Sequence, residues 1–266
     1  MTEDEGVLSR AVRYVVVPVA APIFALTYAL ALAGTHLLFQ AQPQATQNAW
    51  LAWTSTSLDS LSTHPVGSLL TSALVIEDDP LPWVALALVA LWSAVRVLDR
   101  GRRVDDGGGR VDDGGGRVAD SGHRLPDGGR RALDVGRRVP WRALALVIGV
   151  HVLATLASEG MLARRIALGD EPASARHVID VGPSYLVVSA LVAVIVAGRR
   201  VERILCAAGF VVVAPSLFEG LDRWDVTAVG HASTVVLAAA YGLWRRPGIR
   251  RRDAAIGGRP GTAHTS

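Results

Sequence analysis

The sequence contains no lysine, a single cysteine and few charged residues for its length. All 27 basic residues are arginine, and charged side chains make up only 19% of the 266 residues. The lone cysteine, Cys206, excludes an internal disulfide, and its place in an apolar segment indicates a buried, inert thiol. Arginine without lysine, in a chain rich in alanine, glycine and valine, suggests a GC-rich bacterial genome.

Apolar residues form half of the chain, and they lie in blocks rather than at amphipathic spacing. Most blocks come close to the roughly 20 residues that a helix needs to cross a bilayer. The blocks are residues 14–38, 81–98, 143–162, 181–198, 204–218 and 226–244, of which 204–218 is the shortest and weakest. The first follows the acidic MTEDEG without a clear cleavage site, so we interpret it as an uncleaved anchor. The sequence therefore predicts an all-α polytopic membrane protein with six transmembrane helices.

The arginines are distributed unevenly between the predicted loops. If the N-terminus is cytoplasmic, 23 of the 27 arginines lie on the inner side, and the first outer loop, residues 39–65, has none. This asymmetry follows the positive-inside rule for six spans with both termini in the cytoplasm. A basic inner face against anionic lipid accounts for a pI near 9.6, so no nucleic-acid partner is expected. We expect a multi-pass protein of a bacterial inner or plasma membrane, surrounded by the lipid bilayer.

An arginine- and glycine-rich segment separates the second and third predicted helices. Between Arg103 and Arg138 an arginine recurs every seven residues. One apolar residue per seven, with up to three glycines, cannot form a coiled-coil seam. We predict a disordered, self-neutralising linker, with binding to a partner or to lipid as the alternative. The predicted organisation is a cytoplasmic N-terminus at 1–13, helices 1–2 with an outer loop at 14–98, this loop at 99–141, helices 3–6 at 142–246, and a disordered basic tail at 247–266.

Polar residues inside the predicted spans are costly and therefore mark candidate functional sites. Ser184 lies about four residues into the fourth span and His231 about five residues into the sixth, and both spans begin on the outer side. At ~1.5 Å per residue, the hydroxyl and the imidazole reach a similar depth of about 6–8 Å. A Ser–His pair is the minimal arrangement for an activated nucleophile, in which the histidine acts as general base.

Three neighbouring residues are candidates for supporting this pair. Gly182 would shape the backbone just ahead of the hydroxyl, and Gly230 would let helices approach closely beside His231. Asp180 lies one turn before Ser184. Because Asp180 is also a good N-cap residue, the stretch DVGPS has an equally simple interpretation as an ordinary helix start, with both polar side chains serving helix contacts.

A second pair of polar residues lies in the third predicted span. His151 is near its middle, and Glu159 follows two turns further towards the outside on the same face. Two ligands do not make a metal site. We therefore predict no metal and no cofactor, and interpret His151 as a helix-packing residue.

The order of these motifs resembles the rhomboid family of intramembrane serine proteases over roughly residues 55–246, in particular a divergent bacterial branch with DVG-x-SY. The sequence GPSY at 182–185 resembles the family's G-x-S-x motif on its fourth helix, and GHASTVVLAAAYG at 230–242 resembles its histidine helix. HPVGSLLTSALV at 64–75 resembles the end of its first outer loop. The resemblance implies a six-helix rhomboid-like bundle. It also implies a hydrolase in which Ser184 is the nucleophile and His231 the base, acting on transmembrane protein substrates without a cofactor.

The chain also departs from this family at the start of the second helix. Active rhomboids carry a His and an Asn there that stabilise the oxyanion, and the matching positions here are Pro82 and Leu86. Losing one oxyanion donor costs about 10²–10³ in rate. Backbone N–H groups near Ser184 or, as a weaker option, His151 remain as donors.

A rhomboid pseudoprotease that binds membrane-protein clients without turnover is therefore the alternative function. A third class, a small-solute transporter, is disfavoured. It would need paired repeats or charged residues at the midplane, and only His151 lies there.

Overall fold

The computed structural model describes residues 20–76, 79–100, 140–180 and 182–245, and all regular elements in these ranges are helices. The α-helices are α1 (Ala20–Gln40), α2 (Gln44–Thr54), α3 (Leu58–Thr63), α4 (Pro65–Thr71), α5 (Pro80–Arg100), α6 (Trp141–Leu168), α7 (Ser184–Ala197), α8 (Arg200–Leu217) and α9 (Val226–Trp244). Short 3₁₀ helices span Ser72–Leu74, Ala173–His177 and Leu221–Arg223. The predicted N-terminal segment 1–13, nearly all of the loop 99–141 and the tail 247–266 lie outside the described residues.

Helix α7 is the central helix of the bundle. Every residue from Tyr185 to Val194 is buried, because α5, α6, α8 and α9 all pack against it. A glycine permits one of these close contacts: a Cβ on Gly242 of α9 would lie 2.9 Å from the Val196 Cβ of α7. Since neighbours surround α7, its first residue, Ser184, lies within the bundle.

Four helices are long and apolar enough to cross a membrane. Within the described part of the chain they are Ala21–Gln40, Pro80–Leu98, Trp141–Leu168 and Val226–Trp244. Helix α7 is apolar, but its 14 residues span only about 21 Å. Helix α8 carries Arg200, Glu202 and Arg203 in its first turn. The predicted all-α architecture is confirmed and is consistent with a helical membrane protein, whereas the six crossings and the cytoplasmic termini stay predictions.

The segment between α1 and α5, most of which was predicted to be an outer loop, folds as three short helices and a 3₁₀ turn. None of these helices is longer than 11 residues, so none produces a long apolar block. The segment fixes the backbone that leads into α7. The N–H and Oγ1 of Thr56 donate to the Asp180 carbonyl at 3.0 and 2.9 Å, and the Gly182 N–H donates to the Ser72 carbonyl at 2.9 Å.

Candidate active site

Two helices that are distant in sequence bring Ser184 and His231 together. Ser184 is the first residue of α7, and His231 lies in the second turn of α9. The Ser184 Oγ is 2.9 Å from the His231 Nε2. The imidazole is only 4% exposed, whereas Ser184 is half-buried. The sequence placed both side chains at a similar depth, and the structure places them in hydrogen-bonding contact.

The second ring nitrogen of His231 faces a backbone carbonyl. The Nδ1 atom is 2.9 Å from the carbonyl oxygen of Leu217. Because a carbonyl only accepts hydrogen bonds, Nδ1 carries the ring proton and Nε2 is left to accept the Ser184 hydroxyl. Leu217 is the last residue of α8, where carbonyl groups have no intrahelical donor. This is the order of contacts that an activated serine requires: a hydroxyl, an imidazole in the accepting tautomer and a group that orients the ring.

Tyr185 packs against the His231 ring. The two ring centroids are 4.9 Å apart with an interplanar angle of 78°, the edge-to-face geometry that aromatic rings favour. The Tyr185 hydroxyl donates to the Asp180 Oδ2 at 2.6 Å. A Cβ at Gly230 would overlap this hydroxyl. Asp180 and Gly230, two of the predicted supporting residues, therefore contact Tyr185, and Tyr185 in turn packs against His231.

The Asp180 carboxyl is buried and is held by hydroxyl groups. Its Oδ1 accepts from the Thr227 hydroxyl at 3.4 Å, in addition to the Tyr185 contact at Oδ2. Burial raises the pKa of Asp180 to about 6, and the two hydrogen bonds offset part of that rise. Asp180 does not cap α7, because the N-cap position is Pro183. The interpretation of DVGPS as an Asp-capped helix start is therefore wrong.

The start of α7 offers backbone donors beside the Ser184 hydroxyl. No side chain caps this helix, and the first amide with an intrahelical acceptor is that of Val187, which donates to the Pro183 carbonyl at 2.9 Å. The N–H groups of Ser184 and Tyr185 lie in the first turn of the helix, where backbone donors have no intrahelical acceptor and the helix dipole is positive. Gly182 has φ +131°, a conformation that side chains disfavour, and this permits the sharp entry into the helix.

The His151 imidazole contacts the segment between α1 and α5 rather than Ser184. Its Nε2 is 2.8 Å from the Leu69 carbonyl oxygen and 3.3 Å from the Ser72 Oγ. The carbonyl requires Nε2 to be the protonated nitrogen, so this N–H is directed at the segment between α1 and α5 rather than at Ser184. His151 therefore joins α6 to that segment, in agreement with a packing role.

Pro82 and Leu86 of α5 have no side-chain hydrogen-bond donor. Leu86 of α5 packs towards α8, where a Cβ on Gly209 would lie 2.8 Å from the Leu86 Cδ2. Pro82 is exposed and has no N–H to donate. Helix α5 thus supplies no oxyanion donor at these two positions.

Within the described ranges, no group of three His, Cys, Asp or Glu side chains is arranged to hold a metal ion.

A cavity of about 610 Å³ lies between the end of α6 and the α8–α9 turn, and neither Ser184 nor His231 lines it. Its lining includes Leu217, whose carbonyl orients His231, and Thr227, which binds Asp180. The ion pair between Arg165 and Glu171, with a nitrogen–oxygen distance of 2.8 Å, is part of its charged wall. The cavity is large enough to hold a peptide side chain or a short peptide segment.

Sequence reasoning missed three parts of the site. The Leu217 carbonyl leaves no signal in the sequence, because any residue at a helix end would offer one. Thr227 is an ordinary polar residue in a first turn. Tyr185 had a usable signal, since an aromatic residue directly after the serine must pack against a neighbouring helix, and Gly230 beside His231 has no side chain to obstruct it.

Comparison with known proteins gives one match. A family model described as "Rhomboid-like protein" matches residues 135–252, which include α6 to α9 and therefore both Ser184 and His231. No curated protein and no solved structure shows significant similarity to the chain.

Proposed function

We propose that the protein, whose residues 135–252 match a model of rhomboid-like proteins, is an intramembrane serine protease that hydrolyses peptide bonds in transmembrane protein substrates. The observation that carries the proposal is the alignment of three groups. The Ser184 Oγ is 2.9 Å from the His231 Nε2, and the His231 Nδ1 is 2.9 Å from the Leu217 carbonyl oxygen. This alignment prepares the hydroxyl to lose its proton as it attacks.

In the acylation step, Nε2 of His231 takes the hydroxyl proton while the Ser184 Oγ bonds to the carbonyl carbon of the scissile peptide. The carbonyl oxygen becomes an oxyanion, which the N–H groups of Ser184 and Tyr185 stabilise. His231 then donates the proton to the departing amine, and the C–N bond breaks to leave an acyl-enzyme. In the second half, water loses a proton to His231 and attacks the ester, which releases the carboxylic acid and restores the Ser184 hydroxyl.

Among the residues that the structure describes, no carboxylate forms a hydrogen bond or ion pair with His231, and the Leu217 carbonyl takes the orienting role. A carbonyl holds the ring by a neutral hydrogen bond, which stabilises the imidazolium less than a charge-assisted bond would. Without side-chain donors from Pro82 or Leu86, the oxyanion depends on backbone amides. We therefore expect slower turnover than in an enzyme with a full set of oxyanion donors.

The membrane arrangement that fits this function has six crossings with both termini in the cytoplasm of a bacterial cell. Ser184 then lies just below the outer surface of the membrane, where water and a substrate helix meet. A preferred substrate has small or helix-breaking residues near the cleavage site, because a peptide bond inside a stable helix is not accessible to attack.

The second candidate function is a pseudoprotease that binds membrane-protein clients without cleaving them. The observation in its favour is the character of Pro82 and Leu86, neither of which has a side-chain hydrogen-bond donor. Under this alternative, the contact between Ser184 and His231 is inherited but has no catalytic use.

Labelling of the membrane-embedded protein with a fluorophosphonate probe separates the two functions. The protease should label at Ser184, and Ser184→Ala and His231→Ala should each abolish the labelling. Ser189→Ala is the matched control, because Ser189 is buried in the same helix and its hydroxyl donates only to the Leu186 carbonyl at 2.7 Å. Folded wild-type protein that does not label would favour the pseudoprotease, and labelling that survives Ser184→Ala would refute the dyad.

A further inference from the structure

Arg165 links the C-terminal end of α6 to the turn between α8 and α9. Its Nη1 donates to the carbonyl oxygens of Trp224 and Arg223, at 3.1 and 3.5 Å. Its Nη2 forms an ion pair with the Glu171 carboxylate at 2.8 Å. The Arg165 side chain is 27% exposed, so these contacts are partly shielded from the solvent screening that weakens surface ion pairs. None of them takes part in the mechanism above.

The loop after α6 holds Glu171 beside the Arg165 guanidinium. Helix α6 ends at Leu168, and Gly169, with φ +82°, reverses the direction of the chain. The N–H groups of Asp170 and Glu171 then donate to the Arg165 carbonyl at 2.9 and 3.4 Å. Because the Glu171 carboxylate fixes one edge of the planar guanidinium, the remaining N–H donors have a defined direction towards the α8–α9 turn.

The turn that Arg165 binds is held together by its own hydrogen bonds. The Gly220 carbonyl accepts from the N–H groups of Arg223 and Asp225 at 3.0 and 3.1 Å. Trp224 has φ +59°, a left-handed conformation that is strained for a residue with a side chain and persists only where surrounding contacts impose it. The hydrogen bond from Arg165 to the Trp224 carbonyl is one such contact. Arg165 therefore fixes the position of the turn relative to α6.

The same turn helps to place the Leu217 carbonyl. Leu217 is the last residue of α8, and the turn begins at the next residue, Phe218. The Leu217 carbonyl oxygen lies 2.9 Å from the His231 Nδ1. Helix α8 packs mainly against α7 and only slightly against α9, so its helix packing contributes little to the distance between Leu217 and His231. The turn, and Arg165 through its contact with the turn, supply a further tie between these two residues.

We propose that Arg165 is a positioning residue for the Ser–His dyad: it binds the α8–α9 turn and thereby keeps the Leu217 carbonyl on the His231 Nδ1. With Arg165 in place, the carbonyl holds the imidazole in the tautomer that accepts the Ser184 proton. Without Arg165, the turn and the end of α8 shift, and the ring spends less time aligned with the hydroxyl. The effect on activity depends on the proposed protease function, whereas the effect on the ring does not.

The first test measures fluorophosphonate labelling of the protein in liposomes over a range of probe concentrations, which separates the affinity for the probe from the rate constant of its reaction with Ser184. Arg165→Ala should lower this rate constant about tenfold and change the affinity by less than about twofold, because the base is misaligned but the site is intact. Arg165→Lys should recover most of the rate, since an ammonium group donates to a carboxylate and a carbonyl at once.

Arg164→Ala is the matched control for the first test. Arg164 is exposed on the same helix and forms no ion pair with the part of the chain that the structure describes. A wild-type rate constant in Arg165→Ala, an equal loss in Arg164→Ala, or a loss confined to the probe affinity would overturn the proposal. Arg165→Met, which keeps the length of the side chain without its donors, replaces Arg165→Ala if that variant does not fold.

A second test follows the His231 ring and does not depend on catalysis. In the Ser184→Ala background with isotope-labelled histidine, the NMR signal of the His231 Nδ1–H group is assigned by its loss in His231→Ala. Because this proton is bonded to the Leu217 carbonyl, it should exchange slowly with water, and Arg165→Ala should speed the exchange about tenfold. If the wild type fails to label but the exchange responds as expected, only the protease proposal fails. If the exchange is the same with and without Arg165, the role of Arg165 is refuted whether or not the protein labels.

Discussion

At the scale of single residues, the site depends on how the His231 ring is held. The Leu217 carbonyl fixes its tautomer, the Ser184 hydroxyl meets its free nitrogen, and the Tyr185 ring contacts its side. Two of these contacts come from the start of α7 and one from the end of α8, so the position of the ring, which α9 carries, depends on the packing of all three helices. A change that moves Tyr185 should therefore reduce the reactivity of Ser184 without touching either dyad residue.

Gly230→Ala makes such a change. The added methyl group would overlap the Tyr185 hydroxyl, so the ring must shift away from Asp180 and His231. Overpacking of this kind costs about 1–3 kcal/mol, and we expect a lower thermal midpoint together with a reduced rate of fluorophosphonate labelling. Gly149→Ala is the control, because a Cβ at Gly149 of α6 meets nothing within 4 Å. Unchanged labelling in folded Gly230→Ala protein would argue against a role for Tyr185.

Asp180 should give the protein a pH-dependent stability of its own. Burial raises its pKa from 3.8 to about 6, so the folded protein binds this proton more tightly than the unfolded chain does. The resulting stabilisation is fully present below about pH 4 and is lost as the pH rises to about 6, a difference of about 3 kcal/mol. Asp180→Asn should remove the pH dependence of the thermal midpoint over this range. Asp222→Asn, at an exposed position, is the control. If the thermal midpoint of Asp180→Asn depended on pH as that of the wild type does, Asp180 would not be the group responsible.

At the scale of elements, the sequence predicted the long helices well and their connections poorly. The block at 181–198 became α7 at Ser184–Ala197, and the block at 226–244 coincides with α9. Long apolar blocks are visible because burial or lipid is their only favourable surrounding. The short helices α2 to α4 were not predicted, since the segment that contains them is held by contacts distant in sequence, such as that of Thr56, between α2 and α3, with Asp180. The position of Leu217 beside His231 was equally hidden, because it depends on where α8 ends.

The C-terminal end of α7 gives a prediction at this scale. The guanidinium of Arg203 donates to the Ile195 carbonyl at 2.7 Å and to the Val196 carbonyl at 2.9 Å, two groups in the last turn of the helix. Arg203→Ala leaves these carbonyls without the charged donor, which should cost about 1.5–3 kcal/mol. We expect a lower thermal midpoint for this variant in detergent. Arg200→Ala, at an exposed position in the same first turn of α8, should leave the midpoint close to wild type. Equal effects of the two changes would show that loss of positive charge, not loss of the cap, is responsible.

At the scale of the whole molecule, the number of crossings depends on how α7 and α8 lie relative to the bilayer. A hydrocarbon core of about 30 Å exceeds the roughly 21 Å length of α7. Because α7 is surrounded by other helices rather than by lipid, its length need not match the bilayer. Four crossings and six crossings both place the two termini on the same side, so the termini do not distinguish them. The turn at Gly198–Arg200 does, because it reaches the cytoplasm only if α7 and α8 both cross.

Cysteine accessibility at that turn tests the six crossings directly. Cys206 is the only native cysteine and is buried, so Arg200→Cys in a Cys206→Ser background carries one exposed thiol. With six crossings, a membrane-impermeant maleimide should label it in broken cells but not in intact cells. Ser62→Cys, exposed at the end of α3 in the predicted outer loop, should label in intact cells and reports that the reagent reaches the outer face. Labelling of Arg200→Cys in intact cells would place the turn outside. Absence of labelling in both preparations, with Ser62→Cys reactive, would indicate a hairpin that enters the membrane without crossing it.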